Sequence, residues 1–291
     1  MKILLFGGSG QLGYDLIKRA KELNFDVAAP VTSEVDIANR DQVVFLAEKF
    51  MPDLIVNAAA YTNVDQAEAE PEKAYLVNKD GALNVAIAAN KCGSRLIHVS
   101  TDYVFDGFSS KPRKEDDPVN PLSVYGKSKL EGEKAVLQEM SEGNTLVVRT
   151  AWLHGSRGRN FVNTMLDLFK ERDEIRVVDD QVGNPTWTGW LAEVILDLGR
   201  MGQCHGIVHA VCSGAISWYE FACRIYDLVR GHKGYERDVK IYRQSTEEAG
   251  RPAPRPPFSA LDTTKLTGLL GRAPMSWEDG LKRHLAELGI G

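Results

Sequence analysis

Tyr125 and Lys129 stand four residues apart in Ser123-Val-Tyr-Gly-Lys-Ser-Lys129. On a helix that spacing turns the chain about 400°, so both side chains leave one face, roughly one turn apart. A phenol beside an ammonium makes a usable proton donor, because the cation favours the phenolate and brings a pKa of about 10 closer to neutrality. The bare pair is equally compatible with a solvated helix face. A hydroxyl that could join it comes earlier, in Ser100-Thr101-Asp102-Tyr103-Val104-Phe105, directly after an apolar strand. Residues 100–129 are therefore where chemistry would sit, and the remaining elements have to deliver them to one place.

The chain opens with an apolar run over residues 2–6, then Gly7-Gly-Ser-Gly-Gln-Leu-Gly13, then a helical pattern over 12–23. Strand, glycine turn and helix are the context of a dinucleotide-binding turn. Gly7, Gly10 and Gly13, with Gln11 and Leu12 between them, permit the tight turn and let the backbone approach a pyrophosphate at the N-terminus of the helix. A second strand is expected over 25–31. Its tip, Pro30-Val-Thr-Ser33, lacks the acid that would hold a ribose 2′-hydroxyl about 20 residues past the glycines, and no Arg or Lys replaces it. The tip therefore leans to NADPH or to both cofactors, with Asp36 and Ile37 beside the adenine. Residues 41–50 read as a helix and 53–57 as a strand. Ala58, Ala59 and Ala60 are small enough for a flat group to lie against the backbone. A helix over 71–91 carries Asn78, and a strand over 95–99 brings Thr101 and Asp102 to its C-terminal edge, where ligands bind in open parallel sheets. Residues 120–122 are expected to cap the helix of Tyr125, and 145–149 form a further strand.

Beyond that point short elements alternate with polar loops. Helices are expected over 160–172, 187–201, 218–229 and 277–288, and strands over 175–178, 207–211 and 239–242. The run Arg251-Pro-Ala-Pro-Arg-Pro-Pro257 is too rich in proline for regular structure and brings two guanidiniums to a stiff loop. The fold class expected is α/β: a Rossmann-like doubly wound parallel sheet in residues 1–150, with a return segment near 187–212, and a smaller, partly interleaved C-terminal α/β substrate domain in 151–291.

Composition narrows the partners. The 291 residues, 43% hydrophobic and 26% charged, suffice for a large core, and the net charge of −5 comes from 40 acids and 35 bases without a basic block. Nucleic acid is excluded on that ground. No apolar run approaches the roughly 18 residues of a membrane span, and a strand beginning at Lys2 leaves no room for a signal peptide, so a cytoplasmic protein is expected. Cys92, Cys204, Cys212 and Cys223 show no metal spacing and read as buried thiols. His205 and His209 would share one strand face about 13 Å apart, too far for one metal.

Glycine turn, Thr101, Tyr125 and Lys129 in that order resemble the extended short-chain dehydrogenase/reductases. Val56-Asn-Ala-Ala-Ala-Tyr-Thr-Asn-Val-Asp65, Ser100-Thr-Asp-Tyr-Val-Phe105, Val124-Tyr-Gly-Lys-Ser-Lys129, Arg149-Thr-Ala-Trp152, Gln181-Val-Gly-Asn-Pro-Thr186 and Arg255-Pro256 narrow the resemblance, over nearly the whole chain, to the dTDP-4-dehydrorhamnose reductase family. The resemblance implies reduction of the C4 ketone of a dTDP-4-dehydro-6-deoxy-L-sugar by NADPH or NADH, giving dTDP-L-rhamnose. It makes Thr101, Tyr125 and Lys129 the catalytic set. It also implies that Asp102 and Trp152 meet the sugar, Asn184 and Thr186 the nucleotide, and Arg255 the diphosphate. Sugar-nucleotide 4,6-dehydratases carry Thr-Asp-Glu where this chain has Thr101-Asp102-Tyr103, so no base for elimination is evident. Some members of the family are linked as dimers by magnesium held on glutamates. Here Asp15 stands at one such position but Gly189 at another, which counts against a Mg²⁺-linked dimer without removing it, and Mg²⁺ at a dimer interface, monomer and homodimer all stay open. The alternatives are a reductase or epimerase of another nucleotide sugar, and a non-catalytic regulatory subunit like the beta subunit of methionine adenosyltransferase.

Overall fold

The apolar runs between the glycines become strands whose two faces are both covered. The computed structural model describes residues 1–140, 143–202 and 204–290. In it β1 (Lys2–Phe6) leads through the glycine turn into α1 (Gln11–Glu22), β2 (Asp26–Ala28), α2 (Arg40–Phe50) and β3 (Leu54–Asn57). There follow α3 (Val64–Ala69), α4 (Pro71–Tyr75), a π-helical turn over Leu76–Gly81, α5 (Ala82–Cys92), β4 (Arg95–Thr101), α6 (Val124–Glu139) and β5 (Thr145–Thr150). The chain then leaves the sheet for β6 (Leu153–His154), α7 (Phe161–Glu171), β7 (Glu174–Val178), β8 (Val182–Gly183) and β9 (Thr186–Trp187), and returns with α8 (Thr188–Arg200) and β10 (Gly206–His209). The rest comprises β11 (Ile216–Ser217), α9 (Trp218–Val229), β12 (Lys240–Gln244), α10 (Thr246–Ala249), α11 (Thr264–Leu270) and α12 (Trp277–Glu287).

The central sheet has the order β10-β5-β4-β3-β1-β2 and is parallel throughout. Every residue of β3 and β5 is buried, as expected of strands held between two helical layers. Period-2 alternation divides β1 between those layers. Ile3 and Leu5 join Leu16 of α1 and Leu191 and Ile195 of α8 in one core, while Leu4 and Phe6 join Val43 of α2 and Val85 of α5 in another. A third core ties α7, α9 and α12 to the parallel β7/β12 pair through Phe169, Ile175, Phe221, Ile225 and Leu281. The fold class is the expected one. Strand order reverses between β1 and β3, and that switch point opens a crevice beyond the carboxyl ends of the two strands.

Several local expectations change. The second strand shrinks to three residues ahead of Pro30, which cannot donate to a ladder. The helix expected over 71–91 contains the π turn, where Gly81 lets Ile37 lie against it; a Cβ there would stand 2.8 Å from the Ile37 side chain. The cap of α6 is Ser123, whose Oγ accepts from Gly126 N at 3.1 Å, because Asn120 is turned instead toward Asp106. His205 is exposed and precedes β10, whereas His209 is buried within it, and the described residues contain no group of three or more metal-ligating side chains. Cys204 and Cys212 are buried, but Cys92 and Cys223 only partly. No helix among the described residues is long and apolar enough to cross a membrane.

Candidate active site

Beyond the carboxyl ends of β1, β3 and β4 lies a cleft of about 650 Å³, a size suited to nucleotide ligands. Gly7, Gly10, Gln11, Leu12 and Gly13 line one end together with Asp36, Ile37, Ala58, Ala59 and Ala60. Gly7 has φ +88°, and a Cβ on it would come within 2.6 Å of the Ala58–Ala59 peptide. A Cβ on Gly13 would stand 2.2 Å from Gly7 O. The turn is thus packed backbone against backbone, and Gly10 caps α1 without a side-chain bond, so the first N–H groups of α1 stay available to an anion. This cradle fits the pyrophosphate of a dinucleotide.

Thr101, Asp102, Tyr125, Lys129 and Trp152 line the other end. Thr101 Oγ1 donates to Asp102 Oδ1 at 3.0 Å and accepts from Tyr103 N at 3.2 Å, in the same cleft as the Tyr125 side chain. Gly126 follows Tyr125 because the helix runs against the Tyr103 carbonyl; a Cβ there would stand 2.3 Å from it. Lys129, 2% exposed, donates from Nζ to Val99 O at 2.7 Å and lies 3.4 Å from His98 Nε2.

Burial dominates the electrostatics. It pushes the Tyr125 phenol up to about 12 against the opposing influence of the Thr101 hydroxyl. It pulls the Lys129 amine down to about 8 against the field of Glu133. The Asp102 carboxyl rises to about 6 through burial, opposed by the Ser259 and Thr101 hydroxyls; Thr101 bonds its Oδ1, and its Oδ2 is buried without a partner among the described residues. Helical spacing predicted a cation that eases ionisation of the phenol. The amine instead turns to a strand carbonyl, and the site holds a neutral phenol that can give up a proton.

Trp152 carries φ +47°, a strained value for a bulky side chain, and its ring stacks on Trp218 at 3.4 Å and 3°. Trp218 also lines the cleft, and sequence reasoning missed it. The capping box of Ser217 and Glu220 marks where α9 starts but not which wall its first residue faces.

Asn78, Asn184, Thr186 and Arg255 are not among the described residues lining the cleft. Asn78 accepts from Tyr61 N and donates to Tyr61 O and Ser128 Oγ, holding the π turn to α6. Asn184 donates to Gly214 O and accepts from Leu261 N, while Thr186 donates to Asn184 O and accepts from Cys212 N. Arg255 bonds Asp65 Oδ2 at 2.9 Å and Ala253 O at 2.9 Å. The physical reason is shared: buried backbone and charged groups require partners, and these side chains supply them.

The corner at Asp15 does not fit a magnesium site. Asp15 is buried, which raises its carboxyl against the influence of the Thr188 hydroxyl; Glu287 is held by Lys18 at 3.1 Å. Gly189 has no side chain and packs on Trp187. A hard divalent cation needs several free oxygen ligands.

The family model described as RmlD substrate binding domain matches residues 1–290. The chain belongs to that family. As an RmlD-family protein it is 42% identical over 287 residues to the dTDP-4-dehydrorhamnose reductase of Aggregatibacter actinomycetemcomitans, covering 97% of each chain. Among solved structures, the dTDP-4-dehydrorhamnose reductase of Clostridium acetobutylicum superposes with a TM-score of 0.93 at 41% identity over 100% of both chains. That of Bacillus anthracis, in complex with NADP, gives 0.91 at 37% identity over 98% of this chain and 99% of its own. The RmlD family is the one that the sequence motifs imply.

Proposed function

We propose that this RmlD-family protein uses NADPH or NADH to reduce the C4 ketone of dTDP-4-dehydro-β-L-rhamnose to dTDP-L-rhamnose, a step in nucleotide-sugar biosynthesis for cell-surface polysaccharide. The observation that carries the reading is the half-buried Tyr125 phenol, raised in pKa, lining the same cleft as Thr101, Lys129 and the glycine cradle. When bound, the dihydronicotinamide supplies a hydride to C4. Tyr125 gives its proton to the C4 oxygen, Thr101 orients and polarises that oxygen, and Lys129 holds the nicotinamide ribose. The N–H groups opening α1 face the pyrophosphate, while Asp36 and Ile37 border the adenine and Ala58, Ala59 and Ala60 floor the site. Asp102 accepts from a sugar hydroxyl through its free oxygen, and Trp152 backed by Trp218 forms the apolar wall. Residues 1–150 with the return segment 187–212 bind the cofactor, and the interleaved remainder of 151–291 binds the sugar nucleotide. The reading places the protein in the cytoplasm as a monomer or homodimer.

The test supplies dTDP-glucose, a 4,6-dehydratase and a 3,5-epimerase to the purified protein and follows NADPH oxidation, with NADH in parallel and the epimerase omitted as control. Epimerase-dependent oxidation yielding dTDP-rhamnose is expected, and Tyr125→Phe should lose about 10²- to 10⁴-fold in turnover while still binding NADPH. Oxidation without the epimerase would point to another 4-keto sugar. Bound NADPH with no oxidation would point to a non-catalytic protein.

A further inference from the structure

Behind the Lys129 amine runs a chain of buried polar groups that the reduction as described does not use. Asn57, the last residue of β3, is fully buried, and its Oδ1 accepts from Ala59 N at 3.2 Å. That bond fixes the carboxamide and turns Nδ2 toward His98 Nδ1, 3.2 Å away. A carboxamide nitrogen donates and does not accept, so Nδ1 carries the lone pair and the single ring proton sits on Nε2. Nε2 faces Lys129 Nζ at 3.4 Å. A ring N–H repels an ammonium but donates to a free amine. His98 cannot answer by taking up a second proton, since burial and the Lys129 charge both hold it well below its ordinary range.

We propose that His98, locked by Asn57 with its ring N–H toward Nζ, is a positioning residue of the reduction that sets where the Lys129 amine stands and which of its hydrogens face the cleft. With the ring N–H in its way, Nζ gives one N–H to Val99 O and turns its remaining hydrogens to the cleft and the cofactor ribose. The titratable groups that act on Lys129 are Glu133 on α6, which is paired with Arg149 of β5, and His98 on β4, while Tyr125, Asp102 and Tyr103 share the cleft with it. From α3, Glu68 is engaged by Val124 N. Among the described residues, His98 and Val99 alone touch Nζ through hydrogen bonds. Removing the His98 N–H lifts that repulsion, and the amine then binds a proton more tightly.

The inference rests on the reductase reading, so cofactor binding is measured beside turnover. In the full chain, His98→Phe, His98→Gln and Asn57→Asp are compared with the parent for NADPH affinity and for kcat and KM as functions of pH. The parent should weaken its hold on NADPH as pH rises through about 8, where Lys129 titrates. In His98→Phe that inflection should move up by about one pH unit, with kcat down severalfold and KM for the sugar nucleotide unchanged. His98→Gln, whose amide can accept from Asn57 and present an N–H toward Nζ as the ring does, should restore most of both. Asn57→Asp places an acceptor at Nδ1, turns the Nε2 lone pair toward Nζ, and should raise the inflection even if the Phe variant fails to fold. An unmoved inflection in Asn57→Asp, or Phe and Gln variants that behave alike, would overturn the proposal. Failure of the parent to reduce the sugar nucleotide would sink the reductase reading while leaving the binding arm decisive for His98.

Discussion

Asp102→Asn turns the burial of one carboxylate into a measurable stability difference. Asp102 is 2% exposed, and burial, opposed by the Ser259 and Thr101 hydroxyls, lifts its pKa from the ordinary 3.8 to about 6. The folded chain therefore binds this proton more tightly than the unfolded chain. The stability the group contributes is fully present below the unfolded value near 3.8 and is lost as pH rises through about 6. A difference of about two pH units corresponds to roughly 3 kcal/mol. The amide that replaces the charge leaves part of its NH₂ unpaired where Oδ2 now stands alone, which offsets some of the gain. Asp102→Asn should thus stabilise the cofactor-free protein by about 1–3 kcal/mol at pH 8 and by less than about 1 kcal/mol at pH 4. Thermal unfolding of parent and variant at the two pH values makes the comparison. Equal gains at both, or no gain at pH 8, would refute the assignment of an uncompensated buried carboxylate.

Two further substitutions probe the cradle and the core. Gly13→Ala forces a methyl group to within 2.2 Å of Gly7 O and 2.6 Å of Gly8 Cα, so α1 must withdraw from β1. NADPH affinity, read by fluorescence titration, should fall about 10- to 100-fold, the equivalent of about 1–3 kcal/mol of overpacking. Glu133→Gln leaves the Arg149 guanidinium, 2% exposed and bonded to Glu133 at 2.9 and 2.8 Å, without its counter-charge. Denaturant unfolding should show a loss of about 3–5 kcal/mol, and a neutral result would mean that water reaches the pair.

What the sequence made legible was local. The strand, glycine turn and helix at the N-terminus follow from neighbouring residues, and Tyr125 and Lys129 share a face because any helix places i and i+4 together. Legibility ends where a side chain chooses among distant partners. Spacing alone cannot say whether the Lys129 amine turns to the phenol or to Val99 O, because β4 lies behind it only in three dimensions. Asn184 and Thr186 sit in a loop whose composition suits ligand contacts, yet they hold the backbone at Cys212, Gly214 and Leu261. Arg255 finds Asp65 from the opposite end of the chain. Trp218 reaches the cleft, and Ser259 reaches Asp102, from segments with no local mark of it.

The return of the chain to the sheet has a consequence for how the protein comes into being. β10 pairs with β5, and α8 packs its apolar residues on the face that α1 and β1 share. A chain released after residue 150 would carry β5 as a bare edge, a row of unpaired N–H and C=O groups flanked by Leu146, Val147 and Val148. Such an edge recruits other strands, so the first half is an aggregation hazard when isolated and a late folder when whole. During synthesis the nucleotide cradle has to wait, partly sticky, for β10 to emerge from the ribosome. Split or truncated versions of the protein should therefore be cut after that strand rather than before it.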